Sequence, residues 1–526
     1  MPHPSTIARL AIAILTGLAV PQAGRAQSLA VGVSAPVTSI DPHYHTFSPN
    51  QQLDSNLFDR LLATDQHLRP IPGLALSWTL IDDSTWEFRL RPAKFQNGED
   101  FTAEDVAYSL ERVPTVVNSP GSFTIYTKAI TSTEIVDAHT IRFHTKGVYP
   151  LLPMDLSQVF IIPRSIGPAP ASDGFNSGKF AIGTGPYRMI SYTNGDRVEM
   201  ERNGSYWGPK PAWQHVTWRI IPNDGARTAA LLSGDVQLID QVATEDLTRL
   251  RKDPKVALWE TTSLRVIFLT LDQSRESATP YITGPNGETL AKNPLQDRRV
   301  REALSIAINR PLLVDRVMEN AAIATGQFLP PGSYSYVPDL PPPAYDAARA
   351  KTLLAEAGYP NGLSITLHSP NDRYLNDAKI VQAIGQMWAR IGIKAKVEPV
   401  PWASYIGHAN KQDYSVYLLG WGISSGEASN PLRGLVGSWD PARGRGSVNR
   451  GRYANPAVDS LTDKALATAD DAAREQILIQ AERMVLQDVA LIPLHIQKNN
   501  WASRAGLTYL PRSDEETRAA DLRPAP

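Results

Sequence analysis

The segment GWGISSGEASNP, which begins at Gly420, contains the spacing G-x-S-x-G around Ser424. In α/β-hydrolases this spacing places a serine nucleophile on a sharp turn between a strand and a helix. The run VYLLG supplies the strand, but Pro431 and Gly434 would interrupt a helix after the turn. The only histidine downstream, His495, lies in an apolar run typical of a buried strand. The context therefore favours a binding loop, and a serine hydrolase using Ser424 stays as an alternative.

Two histidines, His43 and His45 in DPHYHTF, have ring nitrogens that bind metals. A zinc site needs three or four ligands at suitable spacing, and no third ligand stands at a helical or hairpin spacing from this pair. We therefore expect no metal ion and place both histidines at the surface or at the rim of a pocket. No pair of acids has the context of a glycosidase. We expect no catalytic residue and no cofactor.

Aromatic residues next to glycine recur at predicted strand ends, at Tyr187, Trp207 and Trp421. In open α/β sheets ligands bind at the carboxyl ends of strands. An aromatic ring supplies apolar contact there, and a neighbouring glycine lets a ligand approach the backbone. Each ring can equally be part of a core.

The elements that must position these residues alternate between strands and helices. Residues 84–92 alternate apolar and charged side chains, which indicates a half-buried strand. Thr102 and Asp105 then form a capping-box pattern at the start of a helix. Further helices are predicted to begin after Asp297 and Asp346. The alternation predicts an α/β fold with a largely parallel sheet.

The first residues predict export. An apolar run from Leu10 to Val20 is too short to span a bilayer, and a small-x-small site follows it. This pattern indicates a secretory signal peptide at 1–26, cut after Ala26. The chain contains no cysteine, so it has no disulfide, no thiolate metal site and no cysteine for a lipid anchor. We expect a periplasmic protein that is not lipid-anchored.

Charge and composition limit the partners. The chain has 52 basic and 53 acidic residues. The predicted signal peptide removes Arg9 and Arg25 and no acid, which leaves a mature chain with 50 against 53. A nucleic-acid-binding protein would carry a basic excess, so we expect no nucleic-acid partner. A mature chain of this length predicts two to four structural domains.

Several longer segments occur together and in order. They are SIDPHY, PIPGLALSWTLIDDSTWEFRLRPAKFQNGEDFTAEDVAYSLERV, GTGPYRMISYTNGDRVEMERNGSYWG, DRRVREALSIAINR, AKTLLAEAGYPNG and YANPAVDSLTDKAL. Over nearly the whole mature chain, the sequence resembles the family 5 extracytoplasmic solute-binding proteins, which include dipeptide- and oligopeptide-binding proteins of ABC importers. The resemblance implies an α/β, two-lobed periplasmic-binding-protein fold (type II, cluster C) with an extra domain inserted in the first lobe.

The resemblance also implies a course of the chain through these domains. After the signal peptide at 1–26, the expected ranges are lobe I at 27–70, 186–265 and 495–526, the inserted domain at 71–185, and lobe II at 266–494.

The implied function is the capture of a small-molecule or peptide-like ligand between the lobes, followed by delivery to the membrane subunits of an ABC permease. We expect a monomer that makes and breaks no bond. The alternatives are a periplasmic serine hydrolase and a solute-sensing or chaperone-like binding protein without a role in import. The last alternative needs the same cleft, so the sequence does not separate it.

By the same resemblance, Gly420, Trp421 and Gly422 form a cleft loop whose backbone pairs with the ligand. Tyr126 and Thr38 are expected to line the same cleft.

Peptide binders of the family commonly carry an aspartate for the ligand's amino terminus about where Ser424 stands, and Glu427 is the nearest substitute. Arg373 lies, one position out of register, where dipeptide binders place an arginine for the ligand's carboxylate. The alternative for Arg373 is a solvated loop residue paired with Asp372 or Asp377. These expectations favour a ligand with an anionic end and without a free α-amino group, or with a hidden one.

Overall fold

The computed structural model describes residues 28–277, 279–423, 425–440 and 443–526. The predicted signal peptide and Ser424 lie outside the described residues. The strands, in chain order, are β1 (Ser28–Val33), β2 (Leu62–Thr64), β3 (Pro70–Pro72), β4 (Ala75–Asp82), β5 (Thr85–Leu90), β6 (Ile130–Asp137), β7 (Thr140–Thr145), β8 (Tyr187–Thr193), β9 (Arg197–Arg202), β10 (His215–Ile220), β11 (Leu238–Asp240), β12 (Val256–Leu271), β13 (Ile282–Thr283), β14 (Ala322–Ala324), β15 (Ser364–Pro370), β16 (Lys394–Val400), β17 (Val416–Gly422), β18 (Leu491–Arg504), β19 (Leu507–Tyr509) and β20 (Leu522–Pro524).

The helices are α1 (Ser48–Leu57), α2 (Ala103–Arg112), α3 (Thr124–Thr127), α4 (Leu152–Leu156), α5 (Ser172–Asn176), α6 (Asp224–Ser233), α7 (Thr244–Leu250), α8 (Arg298–Ile306), α9 (Arg310–Arg316), α10 (Ala347–Glu356), α11 (Asp377–Ala389), α12 (Trp402–Asn410), α13 (Ser429–Gly434), α14 (Pro456–Leu466) and α15 (Asp471–Gln487). Within the described ranges, none of these helices is both long enough and apolar enough to cross a membrane.

Twelve strands form one sheet with two halves. The first half contains β1 and β8 to β11, and the second half contains β13 to β17. The two longest strands, β12 and β18, lie between the halves and pair with each other over most of their length. β18 also pairs with β11 of the first half, and β12 pairs with β17 of the second half. The chain therefore joins the halves through these two strands.

The prediction of a largely parallel sheet is wrong. β1 pairs in parallel with β10 and β11, and β15 pairs in parallel with β16 and β17. The other described pairs of this sheet are antiparallel. Two features cause the difference. β12 and β18 run in opposite directions between the halves, and a short turn joins β8 to β9, which allows only antiparallel pairing of these two strands.

A separate four-stranded antiparallel sheet has the order β4-β5-β7-β6. It lies within the range 71–185 that was expected to be an inserted domain. The α2 helix packs beside this sheet, and its start has the predicted capping box between Thr102 and Asp105. That prediction is confirmed.

Other helix ends also follow the predicted signals. The side chains of Asp297 and Asp346 accept hydrogen bonds from the first turns of α8 and α10, which confirms both caps. A helix after the G-x-S-x-G segment was expected to be interrupted by Pro431 and Gly434, and the structure has only the six-residue α13, which ends at Gly434. Pro431 is tolerated because it lies in the first turn, where a helix needs no backbone N–H donor.

Candidate functional site

A cavity of about 460 Å³ lies where β12 and β17 meet the start of α1 and the segment 513–516. Helices α3 and α12 and the residues just before α11 complete its wall. The wall of the cavity therefore combines segments that are far apart in the chain, from the start of α1 to residues 513–516. A solute bound there would contact several of them.

The end of β17 forms one wall of the cavity. Gly422 and Gly420 pair with Arg265 and Ile267 of β12. The Tyr374 hydroxyl donates to the Gly420 carbonyl at 3.2 Å, from the edge opposite β12. Successive residues of a strand direct their backbone N–H and C=O groups to opposite edges. Gly420 and Gly422 are two positions apart, so they present these groups to the same edge. Strand β15 pairs with β17 only at Val416 and Tyr417, the first two residues of β17. Beside the glycines this edge is therefore open to an extended ligand.

Trp421 is half-buried between these glycines and lines the cavity. Its indole N–H donates to Oδ1 of Asn430 at 2.6 Å. Asn430 lies in α13 and lines the same cavity. The hydrogen bond fixes the ring, so the cavity presents a preformed aromatic face.

Each acidic residue that lines the cavity already has an arginine partner. The pairs are Asp514 with Arg512, Glu515 with Arg265, and Glu516 with Arg60. None of these three carboxylates is left as an unpaired site for a ligand's ammonium group.

Arg265 and Glu515 form a bidentate pair. Two hydrogen bonds join them, at 2.7 and 2.8 Å. Burial alone would raise the pKa of Glu515, but the charge and hydrogen bonds of Arg265 outweigh it and hold the pKa below its usual value. For Arg373, burial and then the nearby charge of Arg265 lower the pKa.

Arg373 differs from the paired arginines. Its guanidinium has no hydrogen bond or ion pair to any residue that the structure describes, and it lies 5.3 Å from the ring centre of Tyr374 and 5.5 Å from that of Trp402. The expected alternative, pairing with an adjacent aspartate, is not observed. Asp377 accepts the backbone N–H groups of Arg373 and Tyr374, and Asp372 accepts that of Trp402. The cavity therefore contains an arginine whose donors are available to a ligand.

The structure brings Tyr126 of α3 to the same cavity as Gly420, Trp421, Gly422 and Arg373. Thr38 does not join them.

Thr38 is exposed, it lines none of the main cavities, and its hydroxyl and N–H donate to Asn50. The expectation for Thr38 is corrected, because its hydrogen bonds to Asn50 hold it at an exposed position outside the cavity.

Glu427 does not replace the missing aspartate. Its buried carboxylate accepts hydrogen bonds from Arg474 and Ser429 and lines a neighbouring cavity of about 700 Å³. The guanidinium of Arg474, from α15, already forms an ion pair with this carboxylate. Ser424, the other residue expected at the ligand's amino terminus, lies outside the described residues.

The other residues singled out from the sequence contact the protein itself and do not line this cavity. Tyr187 is fully buried in the core under the first sheet half, and Trp207 donates to Asp59. His43 is also fully buried, so its expected place at the surface is wrong. Its ring nitrogens lie 2.7 Å from the Phe160 carbonyl and 3.1 Å from Arg112. In the described ranges no three histidine or acidic side chains are grouped as metal ligands would be.

Sequence reasoning missed Arg265, Glu515 and Arg450, all of which line the cavity. Arg265 and Glu515 are 250 positions apart, so no local pattern joins them. A signal did exist in the run RSDEETR, where three acids stand between Arg512 and Arg518. Such a charge cluster in a chain of mixed charge indicates a local ion-pair network.

Residues 69–442 match the family model of bacterial extracellular solute-binding proteins, family 5. The match covers more than half of the chain. The chain belongs to this family. Its members bind solutes, so the serine-hydrolase alternative gains no support from the match.

Individual proteins give the same result as the family model. The glutathione-binding protein GsiB of Escherichia coli K12 is 29% identical over 512 residues, which cover 95% of this chain and 94% of GsiB. The periplasmic binding protein DppA of Helicobacter pylori, solved with the peptide STSA, superposes with a TM-score of 0.77 at 23% identity and covers 94% of this chain and 98% of its own. AgaA of A. tumefaciens R10, solved with agropinic acid, gives 0.75 at 23% identity, with 95% and 99% covered. These structural matches show that this solute-binding protein has the two-lobed family 5 fold.

Proposed function

We propose that this solute-binding protein captures a small, peptide-like organic solute with an anionic end and delivers it to the membrane subunits of an ABC permease. The observation that carries the proposal is the guanidinium of Arg373, which lines the cavity beside the end of β17 and has no hydrogen-bond or ion-pair partner among the described residues. A guanidinium matches a carboxylate or phosphate with two hydrogen bonds.

The chain course supports closure around the ligand. We propose lobe I at 27–70, 186–265 and 495–526, the inserted domain at 71–185, and lobe II at 266–494. β12 and β18 are then the two connections between the lobes. A solute held by Arg373 and the glycine edge of β17 on one side, and by Tyr126 on the other, stabilises the closed arrangement because it contacts both lobes.

The cavity favours a particular ligand class. Trp421 provides an apolar face, the β17 edge provides peptide-like hydrogen bonding, and no acid of the wall is free for an ammonium group. Glutathione, the solute in the name of the E. coli relative, has two carboxylates and peptide bonds, and its amino group stands beside a carboxylate. It is therefore a suitable first probe, together with acylated peptides and opine-like compounds.

We place the protein in the periplasm as a monomer that binds its solute without chemical change. A sensing or chaperone-like role would use the same cleft. Uptake of the labelled solute by cells with and without the gene separates these roles, because only an import function loses uptake.

The test is calorimetry on ligand-stripped protein with glutathione, whose α-amino group stands beside a carboxylate, and with alanyl-alanine, whose α-amino group has no carboxylate beside it. We expect glutathione to bind more tightly, and Arg373→Gln to weaken its binding by about 2 kcal/mol or more. Arg390→Gln is the matched control, since Arg390 is exposed at the end of α11. Tight binding of alanyl-alanine that Arg373→Gln leaves unchanged would overturn the proposed ligand class.

A further inference from the structure

The cavity contains a second arginine, Arg450, beside an apolar part of its wall. That part is lined by Phe268, Leu419 and Leu435, which belong to the core on one face of the second sheet half. Ile406 of α12 packs against the same core and also lines the cavity. An apolar surface therefore lies next to a charged group inside the cleft.

Helix α12 holds Arg450 at this position. The Nε of Arg450 donates to Oδ1 of Asn410 at 2.8 Å. Asn410 and Ile406 are four positions apart and therefore share one face of α12. The guanidinium thus lies close to the apolar wall that Ile406 contributes.

The terminal nitrogens of Arg450 have no partner among the residues that the structure describes. No carboxylate lies within ion-pair distance in that part of the chain, and the bond to Asn410 uses only Nε. Arg310 shows the contrast. It is fully buried without a carboxylate, yet its three nitrogens all donate, to the Pro493 carbonyl and to the carbonyl and hydroxyl of Ser305. Arg310 is a satisfied structural arginine, and Arg450 is not.

The groups around Arg450 do not neutralise its positive charge as a carboxylate would. Burial lowers its pKa, and the hydroxyls of Tyr417, Tyr374 and Tyr405 act in the opposite direction. Neutral hydroxyls do not balance a guanidinium charge, and a charge without a partner is costly away from water. An anionic group brought by the ligand would remove this cost and accept two hydrogen bonds.

We propose that Arg450 forms a second anion subsite, so that the solute carries two anionic groups joined by a partly apolar segment, one at Arg373 and one at Arg450. The segment between them packs on the wall of Phe268, Leu419 and Leu435. The chemical class is a peptide-like or acylated dicarboxylate, or an equivalent carboxylate–phosphate compound. This inference rests on the proposed solute-binding function and narrows its ligand.

The test uses two matched pairs of probes that differ in one carboxylate. The first pair is N-succinyl- and N-butyryl-alanyl-alanine, and the second is N-glutaryl- and N-pentanoyl-alanyl-alanine. Calorimetry compares ligand-stripped wild type, Arg450→Gln, Arg450→Lys and the control Arg390→Gln. Thermal melting of each variant shows that it is folded.

We expect a dicarboxylate to bind wild type and Arg390→Gln at least about tenfold more tightly than its matched monocarboxylate. Arg450→Gln removes that preference, and Arg450→Lys keeps part of it because the charge remains. Equal binding within both pairs, including no binding of any probe, would overturn the second subsite. A monoanionic solute that co-purifies with wild type and is lost from Arg373→Gln would refute this inference while the proposed function stands.

Discussion

Replacing Glu515 with glutamine removes one negative charge from the cleft and leaves Arg265 without an ionic partner. The exposed fractions of the two side chains are 11% for Arg265 and 20% for Glu515, so solvent compensates little. Breaking a fully buried pair costs about 3–5 kcal/mol. Because glutamine keeps one acceptor and the pair is partly solvated, we expect Glu515→Gln to lower the free energy of unfolding by about 2–3 kcal/mol.

The same substitution should strengthen binding of an anionic solute. Burial and the charge of Arg265 lower the pKa of Arg373, and the Glu515 carboxylate acts in the opposite direction, so it balances part of the positive charge in the cleft. A unit charge at about 8 Å contributes about 2 kcal/mol at an effective dielectric of 20. Its removal should therefore tighten binding of an anionic ligand about tenfold or more. We therefore expect Glu515→Gln to be less stable than wild type and to bind an anionic solute more tightly.

The stability effect has a predicted pH dependence. The pKa of Glu515 is lower in the folded protein than in the unfolded chain. Its contribution to stability is therefore present above the unfolded value of about 4.3 and is lost as the pH falls through the folded value. The difference between wild type and Glu515→Gln should be constant from pH 7 to about pH 5 and should shrink below about pH 4.

Urea unfolding across this pH range and calorimetry at pH 7 measure the two effects. The control is Glu356→Gln, which removes an exposed ion pair with Arg349 and should change stability by less than about 1 kcal/mol. Weaker solute binding by Glu515→Gln would refute the reasoning, because it would mean that Glu515 itself holds a cationic group of the ligand.

Two other substitutions test separate parts of the structure. Trp421→Ala should weaken solute binding by about 2 kcal/mol, as loss of an aromatic anchor does, and unchanged affinity by calorimetry would assign Trp421 a purely structural role. Burial raises the pKa of Glu482 to about 8, and among the described residues its carboxyl accepts a hydrogen bond only from the Phe328 N–H. Because the unfolded chain ionises this group near its usual value, wild type should lose stability relative to Glu482→Gln as the pH rises from about 5 to 8, and parallel stability curves would contradict this.

Local features of the fold were predictable from the sequence. The capping box at Thr102, the caps at Asp297 and Asp346, and the strand that ends in Gly422 depend on a few neighbouring residues. The sheet directions were not predictable from helix–strand alternation. They depend on β12 and β18, which pair across more than two hundred positions and pass between both halves.

The candidate site shows the same division. The cleft loop at Trp421 and the proposed role of Arg373 came from short segments that resemble the family. The charge balance does not, because it depends on pairs such as Glu427 with Arg474, which are 47 positions apart. From the sequence alone, Glu427 looks like a partner for the ligand's amino group. Only the structure shows that Arg474 neutralises it.

The most direct test of the central claim is mass spectrometry of the solute released from protein purified from the periplasm without refolding. The account predicts an intact organic solute with at least one anionic group, bound to wild type and Arg390→Gln and lost from Arg373→Gln. A neutral or cationic solute, retained equally by Arg373→Gln, would contradict it.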